Sequence, residues 1–482
     1  MVFSSHLFIF YFLPLALLFY YCVPQRVRHL SLTLMSYVFY GWANPSFIFL
    51  MLFSTLIDYF CGLAIAGAPV FSRQPIVKLE PGGTRNRRQK TALIVSIVTN
   101  LSLLGFFKYF NFGIESYNGL MHAMGLHGWD NFWRITLPLG ISFYTFQSMS
   151  YSIDVYLGDA KAIRNGTDFC CYVAMFPQLV AGPIIRFHEV AMQLENRTHT
   201  YEKFARGVAF FAMGMAKKIL LANPCGKIAD MVFDAGSATA FDAWFGAIAY
   251  GFQIYFDFSA YSDMAIGLGL FFGFVFPKNF DSPYHSKSIT EFWQRWHLSL
   301  SNWLRDYLYI PLGGNRLGTR RTYVNLAMVM LLGGLWHGAA WNFVLWGAIH
   351  GGMLAFERAQ GKDSFYRNLP GAVRTTITFA IVTITWVFFR ATDIHSALAF
   401  IGNMFGAGPK QDGTGLVGGL IYQPYYLLLF LVAAGVVWLA PQTWDFTRKL
   451  TWPKVAYCLG MLLLSIVILT SQSFNPFIYF MF

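Results

Sequence analysis

The chain has 482 residues, of which 56% are hydrophobic, 19% aromatic and only 12% charged, and its formal net charge is +12. A soluble domain carries about 25% charged residues, so half the usual polar coat is missing. Disordered, collagen-like, coiled-coil and disulfide-stapled classes are excluded by the same figures. Apolar runs recur from end to end with no break in composition, which predicts one domain over residues 1–482, all-α and polytopic, whose solvent is membrane lipid. The positive charge does not point to nucleic acid, because the Lys and Arg residues sit mainly between apolar runs. The cysteines (Cys22, Cys61, Cys170, Cys171, Cys225, Cys458) form no C-x-x-C pair and read as small buried thiols, not as zinc ligands or disulfides.

In chain order, the first run is Leu7 to Val23. It lacks a basic leader and a small-x-small cleavage site, so it reads as a retained span. The second run, Leu30 to Trp42, is short, and the third is Ser46 to Ala66. Arg26 and Arg28 lie in the first loop; Arg73, Lys78, Arg85, Arg87, Arg88 and Lys90 lie in the third, against Glu80 alone. The connector between them, Ala43 to Pro45, is uncharged. Basic loops stay in the cytoplasm, which predicts an extracytoplasmic N-terminus. Further runs are Ala92 to Phe110, Leu137 to Val155, Phe169 to Ile185, Val208 to Ala222, Trp244 to Phe276, Leu326 to Phe356, Thr375 to Phe389, Tyr425 to Leu439 and Val455 to Leu469. Leu326–Phe356 would be about 46 Å long as a single helix, against a bilayer core of about 30 Å. It must break, near Gly333-Gly334 or between Gly338 and Trp341. Trp244–Phe276 is similarly too long for one helix. The pattern predicts roughly ten to thirteen membrane-embedded helices, some not fully spanning.

Ionisable groups at membrane depth are expensive and mark function by default. Asp257 and Asp263 lie inside the Trp244–Phe276 run, with Tyr255, Ser259, Tyr261 and Ser262 around them. A buried network bracing a broken helix is the favoured reading there, over a catalytic carboxylate, because no partner is visible nearby in sequence. The stretch Ser288–Asn315 opens on a capping box, Ser288 with Glu291. Trp293, Trp296, Leu300, Trp303, Leu304, Tyr307 and Leu308 then make one apolar stripe, with Arg295, Asn302, Arg305 and Asp306 largely off it. This predicts an interfacial or tunnel-lining amphipathic helix. His297 falls on the stripe and, by itself, reads as a packing residue.

His337, in Gly333-Gly334-Leu-Trp336-His337-Gly338-Ala-Ala-Trp341-Asn342, sits in a charge-free run where the helix must break. Glycines there allow another backbone or a ligand to come close. Burial disfavours the charged imidazolium, and neutral imidazole is the competent general base near pH 7. No H-E-x-x-H spacing, Walker A or G-x-S-x-G occurs in a credible context. A histidine base acting on a hydroxyl acceptor is therefore the economical chemistry. A transporter with Asp257, Asp263 and His337 on a proton path, and an export subunit without activity, are the competing classes.

Together these stretches resemble the membrane-bound O-acyltransferase family, and within it the branch that acetylates alginate. The resemblance is carried by Lys108-Tyr-Phe-Asn-Phe-Gly113, Tyr151-Ser-Ile-Asp-Val-Tyr156, Ala181-Gly-Pro-Ile-Ile-Arg186, Tyr255-Phe-Asp-Phe-Ser259, Arg295-Trp-His-Leu-Ser299, Trp303-Leu-Arg-Asp-Tyr-Leu-Tyr309, Leu335-Trp-His-Gly338 and the closing Phe477-Ile-Tyr-Phe480. The motif-rich core covers about 90–358, and the helices of about 370–472 are less distinctive. The resemblance implies a helical bundle around a central tunnel. It implies His337 as the catalytic histidine and His297 as its partner, with Trp336, Asn342, Trp296, Ser301, Arg305, Asp306, Tyr307, Asp257 and Asp263 supporting or lining the tunnel. Acetyl-CoA is then the acyl donor, with no bound cofactor and no metal, and Arg295, Arg305 and Arg316 are candidates to meet its phosphates. The implied partners are membrane lipid and an extracytoplasmic acetyltransferase of a polysaccharide-modification complex, in a bacterial inner membrane. Peptidoglycan or cellulose O-acetylation and teichoic-acid D-alanylation share the same core residues and remain alternatives.

Overall fold

The structure is a computed structural model that describes residues 1–71, 74–235, 238–361, 363–407, 414–472 and 474–478. Arg73 of the third loop, and Tyr479 and Phe480 of the closing motif, lie outside the described residues. Helix takes 71% of the chain, and no strand occurs among the described residues. This is an all-α, multi-pass membrane protein. Among the described residues four helices are long and apolar enough to cross a bilayer: Phe47–Ile65, the continuous stretch Arg87–Ala123, Gly371–Arg390 and Trp452–Ser471. Phe8–Cys22, Ile394–Met404 and Pro424–Leu439 are apolar but shorter.

One run counted in sequence as membrane-embedded has a different reason to be apolar. Phe169–Ile185 forms the helix Gly166–Ala174 and a single turn, Phe176–Leu179. Every residue from Cys171 to Ile185 is buried. Its neighbours are protein, so its hydrophobicity reports core packing and not a span.

The described residues form two compact units. The first comprises Met1–Phe204 with Leu268–Phe276. Within it the helices Phe47–Ile65, Arg87–Leu104 and Ile141–Leu157 pack against one another. Asn86 starts the second of these with a true capping box: its side chain accepts from Gln89 N while the Gln89 side chain accepts from Asn86 N. At the centre of the three helices Asp58 is fully buried. Ser96 Oγ donates to it at 2.5 Å and Asn100 Nδ2 at 2.8 and 2.9 Å. A carboxylate at this depth is tolerable because its oxygens are hydrogen-bonded.

The second unit comprises Ala205–Gly267 with Pro277–Phe482. It carries the chemistry-bearing segments. The Trp244–Phe276 run does not break: Ala240–Phe271 is one helix of 32 residues. The carboxylates inside it do not need a helix break to be satisfied, because two lysines reach them from a neighbouring stretch. Lys217 Nζ donates to Asp263 Oδ2 at 2.7 Å, and Lys218 Nζ lies 2.7 Å from Asp257 Oδ1.

The Leu326–Phe356 run breaks at the second of the two expected places, between Gly338 and Trp341, and Gly333 and Gly334 stay inside a helix. The helix Thr319–His337 ends on His337, and Trp341–Ala359 begins after Ala340. These two helices make the tightest crossing. A Cβ on Gly334 would stand 2.3 Å from the Phe343 carbonyl oxygen, and one on Gly347 would stand 2.4 Å from that of Met330. Both obstacles are backbone, so neither can rotate away. Gly347→Ala should cost about 1–3 kcal/mol through forced separation of the helices. Thermal unfolding of the detergent-solubilised protein would measure it, and an unchanged midpoint would mean the crossing can open freely.

The charged stretch after Ser288 is not one amphipathic helix. Ser288 Oγ accepts from Glu291 N at 3.0 Å, so the predicted start is real, but the Glu291 carboxylate takes Lys287 N and not Ser288 N. The helix ends after five residues, Ile289–Trp293. A second begins at Leu298, after His297 turns the chain with φ +45°. A π-helical turn, Arg305–Tyr309, follows. The Trp stripe is thereby cut in two. Trp296, Leu300, Trp303 and Leu304 are buried, because Trp296 packs among Phe280, Phe292 and Trp386, with ring centroids 5.0–5.6 Å apart.

Candidate active site

His337 is the last residue of its helix and is 7% exposed. Three aromatic rings enclose the imidazole, with centroids at 5.1 Å (Trp336), 5.2 Å (Phe389) and 5.4 Å (Trp346). Gly338 makes room for the following turn, since a Cβ there would stand 2.2 Å from the Phe343 ring. Asn342 sets one wall from a distance. Its Nδ2 donates to the carbonyls of Phe388 at 3.0 Å and Ala391 at 2.8 Å, which ties down the end of the Gly371–Arg390 helix that carries Phe389.

His297 approaches from the other segment. Its ring centroid lies 6.4 Å from that of His337 and 6.1 Å from that of Trp336. Phe258 stands edge-on to it at 4.6 Å. A non-glycine residue at positive φ is uncommon and costs of order 1–3 kcal/mol. The surrounding structure holds it there. His297 is fully buried, and its Nδ1 lies 3.2 Å from Asn279 Oδ1.

His337 faces a cavity of about 300 Å³, whose wall includes Trp293, Ser301, Leu304, Arg305, Met330 and Trp346. The lining is almost wholly apolar and carries one guanidinium, Arg305. A smaller pocket on His337 is closed by Phe258, Trp296, Trp386, Phe389 and Ile478. Ile478 is held in place by the buried ion pair described above: its N–H donates to Asp257 Oδ2 at 2.7 Å, and Lys218 Nζ donates to the Pro476 carbonyl.

The structure thus gathers His337, His297, Trp336 and Trp296, and it places Ser301 and Arg305 on the cavity. Asp257 and Asp263 are ion-paired: Asp257 reaches the site through the Ile478 N–H it accepts, while Asp263 accepts from Lys217 and, at 2.7 Å, from Thr443 Oγ1. Arg305 holds Asp306 through two bonds, at 2.7 and 3.1 Å, and Tyr307 packs on Trp303. Neither Asp306 nor Tyr307 lines the cavity wall. Arg295 is engaged elsewhere, with Glu291 at 2.9 Å and the Asp281 carbonyl at 3.1 Å. Arg316 is exposed and off the cavity wall. Sequence reasoning missed Asn279, Trp346, Phe389 and the two lysines. For the lysines a signal was present: Lys217-Lys218 are adjacent cations inside an otherwise apolar run.

Comparison with known proteins gives the family. The family model described as the membrane-bound O-acyltransferase family matches residues 165–391, which include both histidines. The chain is 44% identical to the probable alginate O-acetylase AlgI of Pseudomonas putida, over 100% of both chains. It is 47% identical to the protein of that name from Pseudomonas aeruginosa, over 89% of this chain and 81% of the relative. It is 36% identical to the peptidoglycan O-acetyltransferase of Helicobacter pylori, over 84% of this chain and 80% of the relative. A full-length match at this identity, joined to an all-α membrane fold with an enclosed histidine pair, makes the chain an O-acyltransferase, and it belongs to the membrane-bound O-acyltransferase family.

Proposed function

We propose that this enzyme moves an acetyl group from cytoplasmic acetyl-CoA toward hydroxyls of an exported polysaccharide of the alginate type. The observation that carries the reading is the enclosed His337, at the wall of an apolar cavity that holds one guanidinium, with the His297 ring buried behind it at 6.4 Å. His337 removes the acceptor hydroxyl proton as that oxygen bonds to the thioester carbonyl carbon; the carbon–sulfur bond breaks and the thiolate leaves with the electron pair. The proton passes to the thiolate, with His297 orienting the acceptor or relaying the proton. Enclosure by Trp336, Trp346 and Phe389 excludes water, which would otherwise hydrolyse the thioester. Arg305 meets the donor phosphates. The relatives of 42–47% identity named for alginate favour that polymer over peptidoglycan, whose named relative stands at 36%. The N-terminus lies outside, the donor side faces the cytoplasm of a bacterial inner membrane, and an extracytoplasmic acetyltransferase completes the transfer.

The test is to supply acetyl-labelled CoA to inverted membranes containing the protein, its co-expressed partners and unacetylated alginate. Label should enter the polymer as a base-labile ester. No label in any acceptor would overturn the reading, and label only in peptidoglycan fragments would move it to that polymer. In the same assay Arg305→Ala should raise the donor KM by about tenfold, the worth of one hydrogen bond to a charged group. An unchanged KM would remove Arg305 from the donor site.

A further inference from the structure

Asn279 meets the His297 turn with its backbone and its side chain. Its carbonyl accepts from Leu298 N at 2.9 Å, and two residues on Asp281 N donates to the Arg295 carbonyl at 2.9 Å. These bonds hold the chain on both sides of the left-handed residue. The Asn279 Oδ1 then accepts from Ser299 N at 3.2 Å and from Ser299 Oγ at 2.9 Å, while lying 3.2 Å from His297 Nδ1.

The backbone N–H of Ser299 can only donate. The side-chain atom it meets is therefore the oxygen of the Asn279 amide, which fixes the amide's orientation. An amide oxygen has no proton to give, so the hydrogen between the two side chains sits on His297 Nδ1. Neutral imidazole with hydrogen on Nδ1 carries its lone pair on Nε2. That Nε2 is buried and meets no hydrogen-bond partner among the described residues.

The far end of the amide has its own surroundings. Asn279 lines a cavity of about 10 Å³ together with Ser259, Ser262 and the Lys217–Asp263 pair. Asn279 Nδ2 and the hydroxyls of Ser259 and Ser262 are buried and unpartnered among the described residues. The space suits a single water.

We propose that Asn279 is a positioning residue of the acyl transfer, fixing His297 in the tautomer that leaves Nε2 bare on a ring 6.4 Å, centroid to centroid, from that of His337. The assignment rests on the reading of His297 as a proton-handling group. It is tested with wild type, His297→Ala, Asn279→Ala and Asn279→Asp in membranes, following transfer from labelled acetyl-CoA across pH. Asn279→Ala should lower kcat by about 10–100-fold, the usual cost of losing an outer partner of a functional histidine, with the donor KM unchanged. Asn279→Asp keeps an acceptor opposite Nδ1 and adds a negative charge that favours the imidazolium. Activity should persist, and its fall toward low pH should begin at a higher pH than in wild type.

An inactive His297→Ala beside a fully active Asn279→Ala would overturn the positioning role and leave His297 in place. An active His297→Ala would overturn the reading beneath it, as would a wild type that transfers no label. If Asn279→Ala fails to fold, Asn279→Asp decides: an unshifted acid limb overturns the proposal.

Discussion

Replacing His337 with alanine should abolish acetyl transfer while leaving the protein in the membrane. A positioned general base contributes roughly 10²–10⁴-fold, and no other described ionisable side chain lines both the large cavity and the small pocket. The loss should fall on kcat with the donor KM within about twofold, the pattern of an interaction made in the transition state. His337 is a helix-terminal residue packed by aromatic rings, so alanine there leaves a modest void beside a helix end that is already there. Transfer that survived in His337→Ala would remove the residue from the chemistry.

The second large effect is on stability. Lys218 and Asp257 have side chains only 4% and 1% exposed. Removing one member of such a pair leaves the other as a buried uncompensated charge, at a cost of about 3–5 kcal/mol. Lys218→Met should accordingly lower the thermal midpoint steeply. It should also release the Pro476–Ile478 segment that closes the pocket beside His337, so that activity falls with stability. The double variant Lys218→Met/Asp257→Asn removes both charges and keeps an acceptor for the Ile478 N–H. It should recover most of the lost stability, as measured by thermal unfolding in detergent. A double variant no better than the single would mean that the pair is not the source of the loss.

Much of the fold was legible in the residues. Low charge and recurrent apolar runs were enough for a polytopic helical protein, and the length of the Leu326–Phe356 run for a break in it, which falls at Gly338 and not at Gly333-Gly334. Two things were not. Hydropathy cannot tell a residue buried in lipid from one buried in protein, so Phe169–Ile185 counts with the membrane-embedded runs. Helical periodicity also cannot register a single left-handed residue. The Trp stripe from Trp293 to Leu308 read as continuous because the turn that cuts it is imposed by Asn279, eighteen positions upstream of His297. The carboxylates of the Ala240–Phe271 helix were singled out correctly as costly. Their partners, Lys217 and Lys218, lie on another segment, and pairing across segments is a tertiary fact that spacing does not carry.

The same left-handed turn sets selection for stability against selection for activity. At φ +45° glycine is unstrained and every side chain is penalised. Glycine at position 297 would relieve that strain at the cost of a void where a fully buried imidazole now packs, and selection for acyl transfer, on the proposed role, would keep the imidazole. On the proposed role of His297, the backbone strain at this position belongs to the catalytic design, and a thermostabilisation campaign that ignored it would delete the site.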